Sequence, residues 1–272
     1  MKLQKILLYS IALSFFVANP IESFSRKKDK QRKINRVDNT IEPDKLVAKA
    51  SQELRAVLPD AMPFSNRKVR MNLSYSEGID VSHYQGVINW DDVVSGTKIS
   101  YVYLKATEGA TFIDDTYRRN LEEARRVGLS VGSYHFYRPN VTPEEQFRNL
   151  TTNVLPDEQD LVPIIDIEHR GKVSEEQFIG DLTKFIKMVE QYYGRKPMLY
   201  SYQNFYNRHF AGLFQNYPWM IAKYKSESPA LDDGQRYVMW QYTSKGSIPG
   251  IRGHVDRSRL MHNHSLQHLS LQ

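Results

Sequence analysis

The sequence predicts an α/β fold, an irregular TIM-like barrel with eight strands and fewer than eight helices. Three observations predict it. From Tyr75 onward, short β-rich runs alternate with longer amphipathic stretches. Eight such runs occur, and the helical stretches between them thin out late in the chain. Alternation of this kind belongs to a sheet wrapped by helices, and eight strands are the number that closes one. A doubly wound open sheet is the alternative. No glycine-rich phosphate loop follows the first run, which counts against a nucleotide-binding version of that sheet.

Residues 1–25 read as an export signal. Met1-Lys2-Leu3-Gln4-Lys5 is a short positive head, and 6–18 is apolar apart from Ser10 and Ser14. That run is too short for a comfortable span and suits the core of a signal peptide. Ser23 and Ser25 fit the small-x-small rule for cleavage; an uncleaved membrane anchor is the other reading. Either way the protein is expected outside the cytoplasm, periplasmic or secreted. Residues 26–74 read as a basic linker with one short helix at 43–58, where Leu46, Ala50, Leu54 and Leu58 recur every fourth position. Residues 75–262 make the barrel, and 263–272 a polar tail. His262, where the barrel ends, and His264 and His268 in the tail are not expected to bind metal.

Composition narrows the function. The chain has no cysteine, which excludes a disulfide framework, a thiol nucleophile, a Cys-based zinc site and a lipidated anchor. The net charge of +6 is misleading. Residues 1–36 hold nine Lys and Arg against two acids, a surplus of seven, so residues 37–272 sum to −1. Nucleic-acid binding therefore gains no support. The basic run from Arg26 to Arg36 reads as a solvated tail that offers weak contact with anionic lipid or wall polymer. With 17 Tyr, 12 Phe and 3 Trp, the chain has rings on which sugar faces can pack, although most aromatics in any protein are core.

The predicted strands are 77–81, 101–106, 130–137, 161–167, 197–201, 219–223, 237–242 and 254–256. Helical patterns lie at 115–127, 144–154 and 175–193. Thr142-Pro143-Glu144-Glu145 and Ser174-Glu175-Glu176-Gln177 both carry a capping hydroxyl followed by early acids, the signature of a helix start.

The run at 161–167 is apolar until it ends in Asp166-Ile167-Glu168. Side chains alternate along a strand, so the two acids share a face, with Cα atoms roughly 6.5–7 Å apart. Like charges on one face repel, and one pKa rises; a carboxyl group stays protonated near neutral pH in this way and serves as a general acid. Asp80 ends the first strand and Asp256 the eighth. In a closed barrel both would face the pair across the mouth where such active sites sit. Four acids there, with no clear His ligand set, point to glycoside chemistry rather than metal hydrolysis. Glu108 also ends a strand and is read as holding a loop. His135, in mid-strand, is read as a satisfied core histidine.

At these residues the chain resembles glycoside hydrolase family 25, the Chalaropsis-type muramidases, over roughly residues 76–262. The resemblance is carried by Gly78-Ile79-Asp80-Val81-Ser82-His83-Tyr84-Gln85-Gly86, Ile88-Asn89-Trp90, Lys105-Ala106-Thr107-Glu108-Gly109, Gly132-Ser133-Tyr134-His135-Phe136, Asp166-Ile167-Glu168, Trp240-Gln241-Tyr242 and Gly253-His254-Val255-Asp256. It departs from the family at Asp256-Arg257-Ser258, where an Asn often follows the acid, and over 201–216.

The resemblance implies hydrolysis of the β-1,4 bond between N-acetylmuramic acid and N-acetylglucosamine. It implies Glu168 as general acid, Asp166 as its partner, and Asp80 and Asp256 as the acids lining the groove. Asp166 is then expected to orient the substrate's 2-acetamido group and to stabilise a charged ring intermediate; direct attack by water is the second route. Tyr84, Tyr137, Trp240 and Tyr242 are expected to contact sugar. No cofactor is needed, the partner is the glycan strand of peptidoglycan, and the protein is expected to be a monomer. Two other functions stay open: a barrel that grips glycan without cutting it, and a glucosaminidase- or chitinase-like hydrolase.

Overall fold

The computed structural model describes residues 77–271. The helix expected at 43–58, the basic run and the export signal lie outside the described residues. Nine strands form one sheet: β1 (Glu77–Val81), β2 (Ile99–Glu108), β3 (Phe112–Ile113), β4 (Ser130–Phe136), β5 (Ile164–Asp166), β6 (Met198–Tyr202), β7 (Trp219–Ala222), β8 (Met239–Gly246) and β9 (Val255–Leu260). Their order is β1-β9-β8-β7-β6-β5-β4-β2-β3, and β1 also pairs with β2. Eight strands therefore close into a ring, and β3 folds back on the end of β2. The pairings from β1 through β2 and round to β8 are parallel. The two that close the ring, β8 with β9 and β9 with β1, are antiparallel.

This corrects one expectation. The run expected at 254–256 is the start of an antiparallel strand, and Asp256 stands near its beginning. It still reaches the right mouth, because an antiparallel strand begins where its parallel neighbours end.

Five α-helices are found among the described residues: α1 (Trp90–Ser95), α2 (Tyr117–Arg126), α3 (Pro143–Asn153), α4 (Glu175–Tyr193) and α5 (Gln203–His209). The starts of α3 and α4 follow the capping signals. The Thr142 hydroxyl accepts from the Glu145 amide while the Glu145 carboxylate reaches back to the Thr142 amide, and the Ser174 hydroxyl accepts from the Gln177 amide. These bonds satisfy amides that a helix leaves without partners in its first turn. No described helix is long and apolar enough to cross a membrane.

The lumen is filled from below by tyrosines. Tyr101 lies in register with Gly78, and Tyr103 with Gly132. A Cβ at either glycine would come within 2.2 Å of the facing ring. The Tyr101 hydroxyl bonds to Ser258 Oγ at 3.0 Å, and that of Tyr103 donates to the Val162 carbonyl at 3.3 Å. These rings floor the cleft above them.

The segment expected as a polar tail carries part of the core. Leu266, Leu269 and Leu271 are buried. The Val162 amide donates to the Leu269 carbonyl at 2.7 Å, and the Leu271 amide to that of Asp160 at 3.2 Å. The His and Gln residues around these leucines make the segment look solvated when read as composition.

Candidate active site

The groove is built at the mouth where β1, β2 and β4 to β7 end. Asp80 is the fourth residue of β1 and pairs directly with Asp256 of β9. Asp166 closes β5, with Phe136 of β4 on one side and Tyr200 of β6 on the other. The backbone stays in the ladder for one more step, since the Ile167 amide donates to the Tyr200 carbonyl at 3.0 Å. That step keeps Glu168 on the same face as Asp166. All four acids line one cleft of about 210 Å³.

Burial is the largest influence on each of the four, and it raises every pKa. Asp80 lies well above its usual range, raised further by Asp256 and opposed by the Gln241 hydrogen bond. Asp166 lies well above it too, with repulsion from Glu168 next in weight. Glu168 is raised, and a hydrogen bond from Tyr202 opposes the shift. Asp256 is pushed up to about 6 by burial. The cluster titrates as a set and retains protons where isolated carboxyls have lost theirs. Asp166 Oδ1 and Asp256 Oδ1 are buried and have no hydrogen-bond partner within the protein.

Asp80 is held from one side. Gln241 Nε2 donates to its two oxygens at 2.9 and 3.1 Å. The Gln241 carbonyl in turn accepts from Tyr200 at 2.8 Å and Tyr224 at 2.7 Å, so the amide cannot turn over without losing both. At the β1 rim, Ser82 and Gln85 form a capping box around the turn His83–Gln85. Asp114 accepts from the His83 amide at 2.9 Å and contacts its Nδ1 at 2.8 Å. Gln85 Nε2 reaches the His254 carbonyl at 3.1 Å, which ties the rim across to the approach of β9.

The expected sugar-binding aromatics divide. Tyr84 lines the cleft and is 80% exposed. Tyr137, Trp240 and Tyr242 do not line it. Tyr137 is buried against Phe178 and Phe185. Trp240 is buried, donates to the Lys223 carbonyl at 2.9 Å and packs with Arg259, and Tyr242 packs with Arg257 and Arg259. Tyr134, Phe136 and Gln241, from the same stretches of chain, line the groove instead, as do Lys105, Tyr200, Tyr202 and Tyr224. Lys105, Tyr134, Phe136 and Gln241 stand in the family motifs without an expected role; Tyr200, Tyr202 and Tyr224 carried no sequence signal. His135 is buried with Thr107 at 2.8 Å on one ring nitrogen and Gln146 at 3.3 Å on the other. Burial lowers its pKa to about 4. Among the described residues no group of three or more His, Asp or Glu side chains is arranged to hold a metal ion.

Chemically, the cleft offers a carboxyl group that can keep its proton beside others that can carry charge. It can donate a proton to a leaving oxygen and stabilise the cation left behind.

Comparison with known proteins points the same way. The family described as Glycosyl hydrolases family 25 matches residues 79–251. The uncharacterized protein YegX of Escherichia coli K12 is 35% identical over 199 residues, 71% of this chain and 73% of that one. Lysozyme M1 of Streptomyces globisporus is 30% identical over 197 residues, 67% of each chain. A crystal structure of the bacterial lysozyme from Streptomyces coelicolor superposes with a TM-score of 0.65 at 30% identity, covering 73% of this chain and 96% of the other.

Proposed function

The chain belongs to glycosyl hydrolases family 25 and is a lysozyme-type peptidoglycan muramidase, and from that premise we propose that Glu168 is its general acid and Asp166 the stabiliser of its intermediate. The observation that carries the assignment is the acid pair in one cleft, with a buried Asp166 oxygen that no protein group satisfies.

Glu168 gives its proton to the glycosidic oxygen as the bond from the muramic acid anomeric carbon breaks. Positive charge grows on that carbon. The carbonyl oxygen of the sugar's 2-acetamido group closes on it, while Asp166 accepts from the acetamido N–H and balances the charge of the resulting ring. Water then opens the ring and returns a proton to Glu168, so the anomeric configuration is retained. Asp80, held by Gln241, and Asp256 line the opposite wall and add negative potential. Tyr84 at one rim and Tyr202 and Tyr224 at the other supply ring faces for the sugars. The glycan strand is met outside the cytoplasm by a monomer, with the run from Arg26 to Arg36 adding weak contact with wall or lipid anions.

The test is clearing of peptidoglycan in a zymogram with product analysis. Wild type should clear and Glu168→Gln should lose about 10²–10⁴-fold. Muramic acid at the new reducing end, with retained anomeric configuration by proton NMR, is the expected product. Glucosamine at that end, or no clearing by the wild type, would overturn the assignment; an inverted product would remove the acetamido route.

A further inference from the structure

Glu108 ends β2 and stands just outside the cleft. Its Cα is in register with Phe136, and Phe136 with Asp166, so Glu108 lies two strands from the acid pair. At about 4.8 Å per strand, that is roughly 9.6 Å between backbones. Two cations fill the interval. Glu108 Oε2 accepts from Lys105 Nζ at 2.6 Å. Glu108 Oε1 accepts from Arg138 Nε at 2.8 Å and from a second guanidinium nitrogen. Both cations lie over the ring of Phe136, Lys105 Nζ at 5.3 Å and Arg138 Cζ at 4.6 Å from its centre. Arg138 also donates to His169 Nε2 at 2.9 Å, and His169 follows Glu168 in the chain.

Among the described residues, Lys105 is the one Lys or Arg that lines the cleft. The other groups lining the cleft around Glu168 are anionic or neutral: Asp80 from β1, Asp166 from β5, Tyr200 and Tyr202 from β6, Tyr224 after β7 and Asp256 from β9. Arg138, outside the cleft lining, is the second cation that acts on Glu168. A mobile ammonium among four carboxyls would pair with one of them. Pairing with Glu168 would strip the proton that the reaction uses.

We propose that Glu108 is a positioning residue for this reaction: it clamps Lys105 and Arg138 over Phe136, beside Asp166 and Glu168, and so keeps both cations from pairing with them. The proposal rests on the reading of Asp166 and Glu168 as the working pair. Burial pushes the Glu108 carboxyl up, but the hydrogen bonds from Lys105 and Arg138 outweigh it and leave the group below its usual range, hence ionised. Lys105 pulls both Asp166 and Glu168 down, and the Glu108 charge pushes Asp166 up. Removing Glu108 therefore lowers the pair by two routes: its own charge disappears, and Lys105 is released toward the carboxyls. Removing Lys105 raises the pair.

The opposed signs make the test. In the full chain, Glu108→Gln should move the bell of kcat/KM to lower pH by about one unit, which is tenfold in the protonated fraction on the alkaline side. KM should change less than threefold. Lys105→Met should move the bell to higher pH, and the double variant should lie above Glu108→Gln and below Lys105→Met, because loss of the Glu108 charge persists in it. Carboxyl titration by ¹³C NMR should give the same order without any turnover. It therefore tests the clamp even if wild type fails to cut peptidoglycan, an outcome that counts against the muramidase reading alone. Should Glu108→Gln not fold, the double variant and Lys105→Met still give the sign. The proposal is overturned if Glu108→Gln lowers kcat or the thermal midpoint while every titration midpoint stays in place, or if both single variants move the bell the same way.

Discussion

Tyr137 carries a buried hydroxyl with no hydrogen-bond partner. Such a group costs desolvation without return. Tyr137→Phe should leave the thermal midpoint equal or higher and the lytic rate unchanged; a rate lower by tenfold would put this side chain back in the groove. The residue also shows how far sequence reading goes at this scale. The four acids were legible because a carboxylate at the end of an apolar run has few structural reasons to be there. Of the aromatics, Tyr84 lines the cleft as expected, while Tyr137, Trp240 and Tyr242 each stand a single position away from a residue that lines it. On β4 it is Tyr134 and Phe136 that face the cleft, with Tyr137 outside it; on β8 Gln241 faces in, with Trp240 and Tyr242 outside it. With a period of two, an error of one residue exchanges the faces. The motif itself does not say which parity points inward.

Each element is constrained by what stands beside it. In β1 and β4 the constraint is a glycine facing a tyrosine. Gly132→Ala would set its Cβ 2.2 Å from the Tyr103 ring. It should cost about 3 kcal/mol in a denaturant titration, the upper range for overpacking a core. Gly180 in α4 is the control, because an added Cβ there meets nothing within 4 Å. Gly180→Ala should stabilise by about 0.5–1 kcal/mol. If both substitutions proved neutral, the tyrosine floor would not be a packed one. The long helices were legible to their ends: α4 falls on its predicted bounds, where a capping serine and early acids open it. The short helices α1 and α5 were not expected, since six or seven residues carry too few turns to show a period. The short strands β5 and β9 were poorly legible too. Three to six residues carry little periodicity, and the direction of β9 follows from ring closure, which no local pattern records.

For the whole molecule, the ring is buttressed from outside its own strands. Residues 266–271 pack three leucines into the core and bond to 160–162, just upstream of the strand that ends in Asp166. A chain cut after His262 should melt at least several degrees lower and lose most of its lytic activity while keeping all four acids. Full activity with an unchanged melting point would show that this clasp is dispensable. The closing strands have a further consequence. Gln241 and Asp80 bond across 161 positions of sequence, and Asp256 reaches Asp80 from still farther along the chain. Contacts so distant in sequence form late, after most loop entropy has been lost. Asp166 and Glu168 are therefore made before Gln241 and Asp256, which complete the wall opposite them. The four-acid groove is complete only when the last strand has joined the first, so any truncation that removes β9 removes one acid and the closure of the ring together.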